Sequence, residues 1–176
     1  MKKVFFFFIG IVFSLTCRSQ QVNLNGANIM LPNGVEKLSK KEMSDYAHNK
    51  YENDNLILKT VAMKFDSGQL YKLDDIIFSL NNEKGHFEGN YLSNTKSGFD
   101  EMAHHSKNYL SIIKTIGNNQ VLITNHIVKN IEYYNFFCIN DHDTIVITGS
   151  FQFTKSDEVE AIDMVSKMLA SLNFTE

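Results

Sequence analysis

Tryptophan is absent, proline occurs once, at Pro32, and cysteine occurs twice, at Cys17 and Cys138. With one proline in 176 residues, chain punctuation falls mostly to glycine and asparagine. If Cys17 is lost or lipidated, Cys138 is alone and no internal disulfide can form. There is no run of basic residues to meet a phosphate backbone, so nucleic acid is a poor candidate partner. No Gly-x-Ser-x-Gly elbow, phosphate-binding glycine loop, Cys-x-x-Cys or His-Glu-x-x-His occurs. The expectation is a protein that is not an enzyme and carries neither cofactor nor metal.

A long hydrophobic run is also missing. Lys2 and Lys3 precede an apolar stretch from Val4 to Phe13, interrupted only by Gly10, which is the pattern of a targeting segment covering residues 1–19. A bilayer span takes roughly 20 apolar residues, so this stretch is too short to remain as an anchor. Two processing routes compete. Cleavage after Ser19 follows a small-x-small pattern, although Cys and Arg are unusual there. Lipidation of Cys17 would need a Leu-x-(Gly/Ala/Ser)-Cys box, but Leu15 stands one place too close and Thr16 replaces the small residue. The segment holds Lys2, Lys3 and Arg18 and no acid, so its removal takes the net charge from −3 to −6. The mature chain, residues 20–176, is long enough to bury one core without staples.

Two strand-like runs, Ile131 to Ile139 and Thr144 to Phe153, meet across Asn140-Asp141-His142-Asp143. In the second, Ile145, Ile147, Phe151 and Phe153 alternate with Thr144, Thr148, Ser150 and Gln152, so one face is core. Gly149 breaks the apolar row and marks a bend or a close approach. The first run is apolar on both faces, which predicts an interior strand. The period then changes to 3.6: Val159, Ile162, Val165, Leu169 and Leu172 form a stripe flanked by Ala161 and Met168. Ser156 is the expected N-cap, and Asp163, Lys167 and Ser171 the outward positions.

Earlier in the chain, Ala27 to Val35 reads as an edge strand running into a Pro32–Gly34 turn. Ser39 and Glu42 form a capping box for a short helix to Tyr51. Strands are expected over Leu56 to Phe65, Ile76 to Leu80 and Gln120 to Lys129, with Asn81 to Gly85 a polar loop. Phe99, Met102, Ala103, Ser106, Leu110, Ile113 and Ile116 read as one helical stripe closed by Gly117.

This order, with Ile29-Met30-Leu31-Pro32-Asn33-Gly34-Val35 as an opening strand and turn and Met164 to Phe174 as a closing helix and tail, resembles the Mog1/PsbP-like superfamily, which includes DcrB-like (DUF1795) bacterial envelope proteins. Val35 stands where the family more often has an aromatic. The resemblance implies an α+β fold, a central antiparallel sheet between helices, and a binding or adaptor role; it carries over no catalytic residue.

The remaining candidates have bland readings beside them. His104 and His105 are each four residues after an acid, at Asp100 and Glu101, but adjacent histidines on a helix diverge by about 100° and cannot share an ion, so a solvated acid–imidazole pairing is expected. Cys138 with His142 and the flanking Asp141 and Asp143 could be a thiol, a base and an orienting acid, but a cysteine among strand aromatics is ordinarily an inert hydrophobe. Asn140 to Asp143 lacks the length of a calcium loop. Tyr133, Tyr134, Phe136 and Phe151, with Phe137 and Phe153, could line an apolar groove for a peptide or lipid, or simply fill the core. The sequence therefore points to an exported, non-enzymatic binding or adaptor protein of a bacterial envelope, periplasmic or at the cell surface. Its partner would be a protein, either an envelope component or, in an immunity role, a basic toxin met by the acidic surface. Membrane contact would come only through a lipid anchor.

Overall fold

In a computed structural model, the structure describes residues 19–39, 41–42, 69–106, 108–128 and 130–175. The targeting segment apart from Ser19, Cys17 with it, and the expected helix to Tyr51 and strand Leu56–Phe65 lie outside these residues, apart from the start of that helix. Among the described residues there are ten strands: β1 (Gln20–Asn23), β2 (Ala27–Leu31), β3 (Glu36–Lys37), β4 (Gln69–Leu73), β5 (Ile76–Lys84), β6 (Tyr109–Ile116), β7 (Asn119–Val128), β8 (Ile131–Ile139), β9 (Ile145–Thr154) and β10 (Asn173–Phe174). The helices α1 (Tyr91–Ala103) and α2 (Glu158–Ser171) lie among these described residues as well.

Among the described residues the large sheet runs β3-β4-β5-β9-β8-β7-β6 and a smaller one β1-β2-β10, with every pairing antiparallel. As expected, β8 is interior, held between β9 and β7. Facing residues on adjacent strands share a side of the sheet, so the register aligns whole rows. Tyr71, Phe78, Phe151 and Tyr134 form one row across β4, β5, β9 and β8. Their rings stack, Tyr71 on Phe78 at 5.2 Å and Phe78 on Phe151 at 4.9 Å between centroids. The next row, one residue on and therefore on the opposite side, is polar: Ser79, Ser150, Asn135, Thr124 and Ser111 across β5, β9, β8, β7 and β6.

The aromatic side is sealed by α2 and the small sheet, whose Ala27, Ile29 and Leu31 join the core with Ala161, Met164, Val165, Met168 and Leu169. The end of α2 is fastened where Asn119 Nδ2 donates to the Leu172 carbonyl at 2.9 Å, and β2 is fastened to it by Met30 N–H donating to Ser171 Oγ at 2.9 Å. On the polar side α1 sets Phe99 against Phe137, 5.3 Å between ring centroids. The two helices thus flank the sheet, an α+β arrangement. No helix among the described residues is long and apolar enough to cross a membrane.

Several expectations fail for local reasons. The stripe from Phe99 to Ile116 is not one helix: α1 ends at Ala103, and Tyr109–Ile116 pairs instead with Asn119–His126 around a Gly117–Asn118 turn. Gly117 sits at φ +59°, and a Cβ there would lie 3.2 Å from the Ala170 carbonyl oxygen. Asn81 to Lys84 is strand, because it finds partners in Thr148 to Ile145. Strand β4 was not expected. Strand β2 is the centre of the small sheet, and Pro32 falls just beyond it, where no ladder donor is needed. The buried stripe of α2 is rotated toward Ala161 and Met164, so Val159 is 83% exposed and Ile162 half-buried. Asp157, not Ser156, stands at its N-cap, as the last residue of a one-turn 3-10 segment Lys155–Asp157. Ser171 is half-buried and bonded, while Asp163 and Lys167 are exposed and paired at 2.7 Å. The capping box forms: Ser39 N–H and Oγ both donate to Glu42, and Glu42 N–H returns to Ser39 Oγ.

Candidate functional site

Strand β6 is the last strand of the large sheet among the described residues, so the far side of its backbone has no ladder partner there. Its residues alternate. Ser111 and Ile113 turn inward over the polar side, whereas Leu110 and Ile112 turn to the aromatic side and stand 60% and 45% exposed. The reason lies in the course of α2, which covers the middle of the sheet and ends near Gly117, leaving the opposite end of β6 open. Leu110 faces Asn125 and Ile112 faces Ile123 on β7, and Ile127, two residues along, is also exposed. Together these make an apolar corner at the end of an open-edged strand.

Beside that corner lies Glu132. It faces Ile127 across β7 and β8, yet only 3% of it is exposed. Among the described residues, Asn125 Nδ2 donates to it at 3.4 Å. Burying a carboxylate is costly unless it is matched by donors or a cation. A cavity of about 320 Å³ opens next to it, bordered by Ile127, Asn130, Glu132, Thr154, Lys155 and Ser156.

A second, smaller cavity of about 190 Å³ lies on the polar side under Phe99, floored by Ser79, Asn81, Asn135, Thr148 and Ser150. Asn135 donates to Thr124 at 3.2 Å, and the row ends in Ser111 Oγ donating to Asp100 on α1. Lys96 holds the same carboxylate at 2.5 Å. The Lys96 and Ser111 hydrogen bonds keep the Asp100 carboxyl below its ordinary value.

The residues singled out from sequence are placed differently. Tyr134, Phe136 and Phe151 are buried in the core, while Tyr133 lies on the other side of the sheet, stacked 4.9 Å from His126. These four do not line one groove; strand alternation puts Tyr133 and its neighbour Tyr134 on opposite faces. Cys138 is also in the core, where burial and then Asp141 push its thiol up to about 12, the opposite of a nucleophile's need. Asn140 is buried and its Oδ1 accepts from the N–H groups of Thr144 and Ile145, each at 2.8 Å, so the loop before β9 is braced from within. His104 and His105 lie past the end of α1, both exposed, with rings 3.7 Å apart. His104 Nδ1 meets the Glu101 carbonyl oxygen at 2.6 Å instead of an acid side chain.

Sequence reasoning missed Leu110, Ile112 and Glu132. Leu110 falls in the apparent helical stripe, and Ile112 lies between its members. The third carried a signal, since it is the one charged residue in the apolar run from Ile131 to Ile139.

Scanned against known protein families the sequence matches none, and no curated protein matches it. Solved structures do. The solution structure of cyanobacterial PsbP (CyanoP) from Synechocystis sp. PCC 6803 aligns over 95% of this chain and 99% of that one, with a TM-score of 0.55 at 10% identity. The chain has a PsbP-like fold. The Saccharomyces cerevisiae Ran-binding protein Mog1p aligns over 90% of this chain and 96% of its own, with a TM-score of 0.44 at 8% identity. A Bacteroides thetaiotaomicron VPI-5482 protein aligns over 85% of this chain with a TM-score of 0.49 at 10% identity, and there the chain spans 45% of the other protein's length. At such identities the PsbP-like likeness speaks for architecture alone.

Proposed function

We propose that the protein is exported and acts without catalysis of its own, as a binding or adaptor protein that holds a partner protein along strand β6. The reading is carried by Leu110 and Ile112, two large apolar side chains exposed on a strand whose outer edge lacks a ladder partner among the described residues. Such an edge accepts an extended segment, whose main chain continues the sheet while its side chains settle on the apolar corner. The export half rests on Lys2, Lys3 and the apolar stretch from Val4 to Phe13. The mature charge of −6 favours a partner that is basic where it touches.

The test is affinity capture from envelope extracts with the wild-type protein and with a Leu110→Asp/Ile112→Asp variant as baits. A stoichiometric partner held by the first and lost by the second supports the reading. A resident envelope component marks an adaptor, and a secreted toxin marks an immunity protein. Equal recovery by both baits rules the β6 edge out. Turnover of ester or peptide substrates by the purified protein would refute the non-catalytic part.

A further inference from the structure

We propose that the cavity beside Glu132 is a socket for an arginine side chain, carried by the partner segment that docks along β6; this rests on the reading above and names what that partner must present. The starting point is a buried carboxylate with a single long hydrogen bond among the described residues. Glu132 is 3% exposed and, among the described residues, has one hydrogen-bond partner, the Asn125 amide at 3.4 Å. Asn125 Oδ1 is itself buried with no donor. A buried carboxylate beside a second acceptor favours a group that is cationic and has several N–H donors.

The cavity of about 320 Å³ bordered by Glu132 is of side-chain size. The Thr154 and Ser156 hydroxyls on its border, bonded to each other and to Asp157, keep lone pairs that can accept, and Ile127 supplies an apolar wall. That combination matches a guanidinium, whose planar fork can bond a carboxylate and a neighbouring acceptor together while its methylene stem lies on an aliphatic surface. Lys155 also borders the cavity, on an exposed side chain, and does not pair with Glu132. It competes with an entering cation, so its removal should improve binding, a sign that a purely structural Glu132 would not produce. The socket adjoins the apolar corner, because Glu132 faces Ile127 and Asn125 faces Leu110 across the ladders. A segment following β6 with an arginine among apolar residues would reach both.

The experiment uses the purified, isotopically labelled protein and two peptides, acetyl-Val-Arg-Val-amide and the same peptide with citrulline, which keeps the shape and loses the charge. Amide shifts at Ile127, Glu132 and Lys155 with the arginine peptide, and at least tenfold weaker binding of the citrulline one, are expected. Glu132→Gln should weaken the arginine peptide at least tenfold, and Lys155→Ala should tighten it severalfold. Equal response to both peptides, shifts away from these residues, or no shifts at millimolar peptide overturns the proposal. Should Glu132→Gln fail to fold, the citrulline comparison and Lys155→Ala decide. If the peptides are not distinguished but Leu110→Asp/Ile112→Asp still loses the captured partner, the socket falls and the β6 edge stands.

Discussion

The ring of Phe136 occupies the space that a side chain at position 149 would need. The two residues face each other across β8 and β9, and a Cβ on Gly149 would lie 2.1 Å from Phe136 Cε1 and 2.7 Å from Cζ. A gap in the apolar alternation of β9 is therefore filled from the neighbouring strand, by a ring that lies over the glycine.

Gly149→Ala is accordingly expected to destabilise the protein by about 3 kcal/mol, at the upper end of what overpacking a core ordinarily costs. Urea unfolding measures it. Adding Phe136→Leu should recover part of the loss, since the two sites are coupled. Additive losses in the double variant would show that the ring and the missing side chain do not compete for the same space.

Along α2, burial and sequence periodicity disagree at one end. Leu169→Ala, at a fully buried position, should cost about 2–5 kcal/mol, the range for leucine truncation in a core. Val159→Ser, at a position 83% exposed, should change stability by less than about 0.5 kcal/mol. Thermal melts of the two variants check this. A large loss in Val159→Ser would place that residue in the core.

These elements also mark what could be read in advance. The pairing of β8 with β9, the inward set Ile145, Ile147, Phe151 and Phe153, and the existence of α2 follow from alternation and period within single segments, which is information a sequence carries directly. The alignment of Tyr71, Phe78, Phe151 and Tyr134 into one row does not, because register between strands distant in sequence is fixed only by the assembled sheet. Tyr109–Ile116 reads wrongly as helix for a related reason. Leu110, Ile113 and Ile116 satisfy helical spacing by coincidence, and the competing hairpin with β7 depends on a partner that the local pattern does not contain. The candidate site was least legible of all, since it consists of a strand edge and a cavity that exist only once α2 has covered the rest of the sheet.

Cys138 gives a pH-dependent prediction. Its thiol is held up to about 12 against an ordinary value near 9, mainly by burial. A group whose folded value is raised stabilises below the unfolded value and loses that contribution as pH climbs through the folded one. Stability tied to this residue should therefore decline from about pH 9 toward 12. The stability difference between wild type and Cys138→Val, measured by urea unfolding, should shift in favour of the variant across that range. A constant difference from pH 8 to 10.5 would contradict it. In the folded protein at pH 8 the thiol should also resist alkylation that proceeds readily in urea.

Docking of a partner on β6 is tested most directly by amide hydrogen exchange with and without the captured partner. Slowed exchange concentrated at Tyr109–Ile116, with the rest of the sheet little changed, is the predicted result. Protection that leaves these amides untouched and falls on another face of the protein would contradict it.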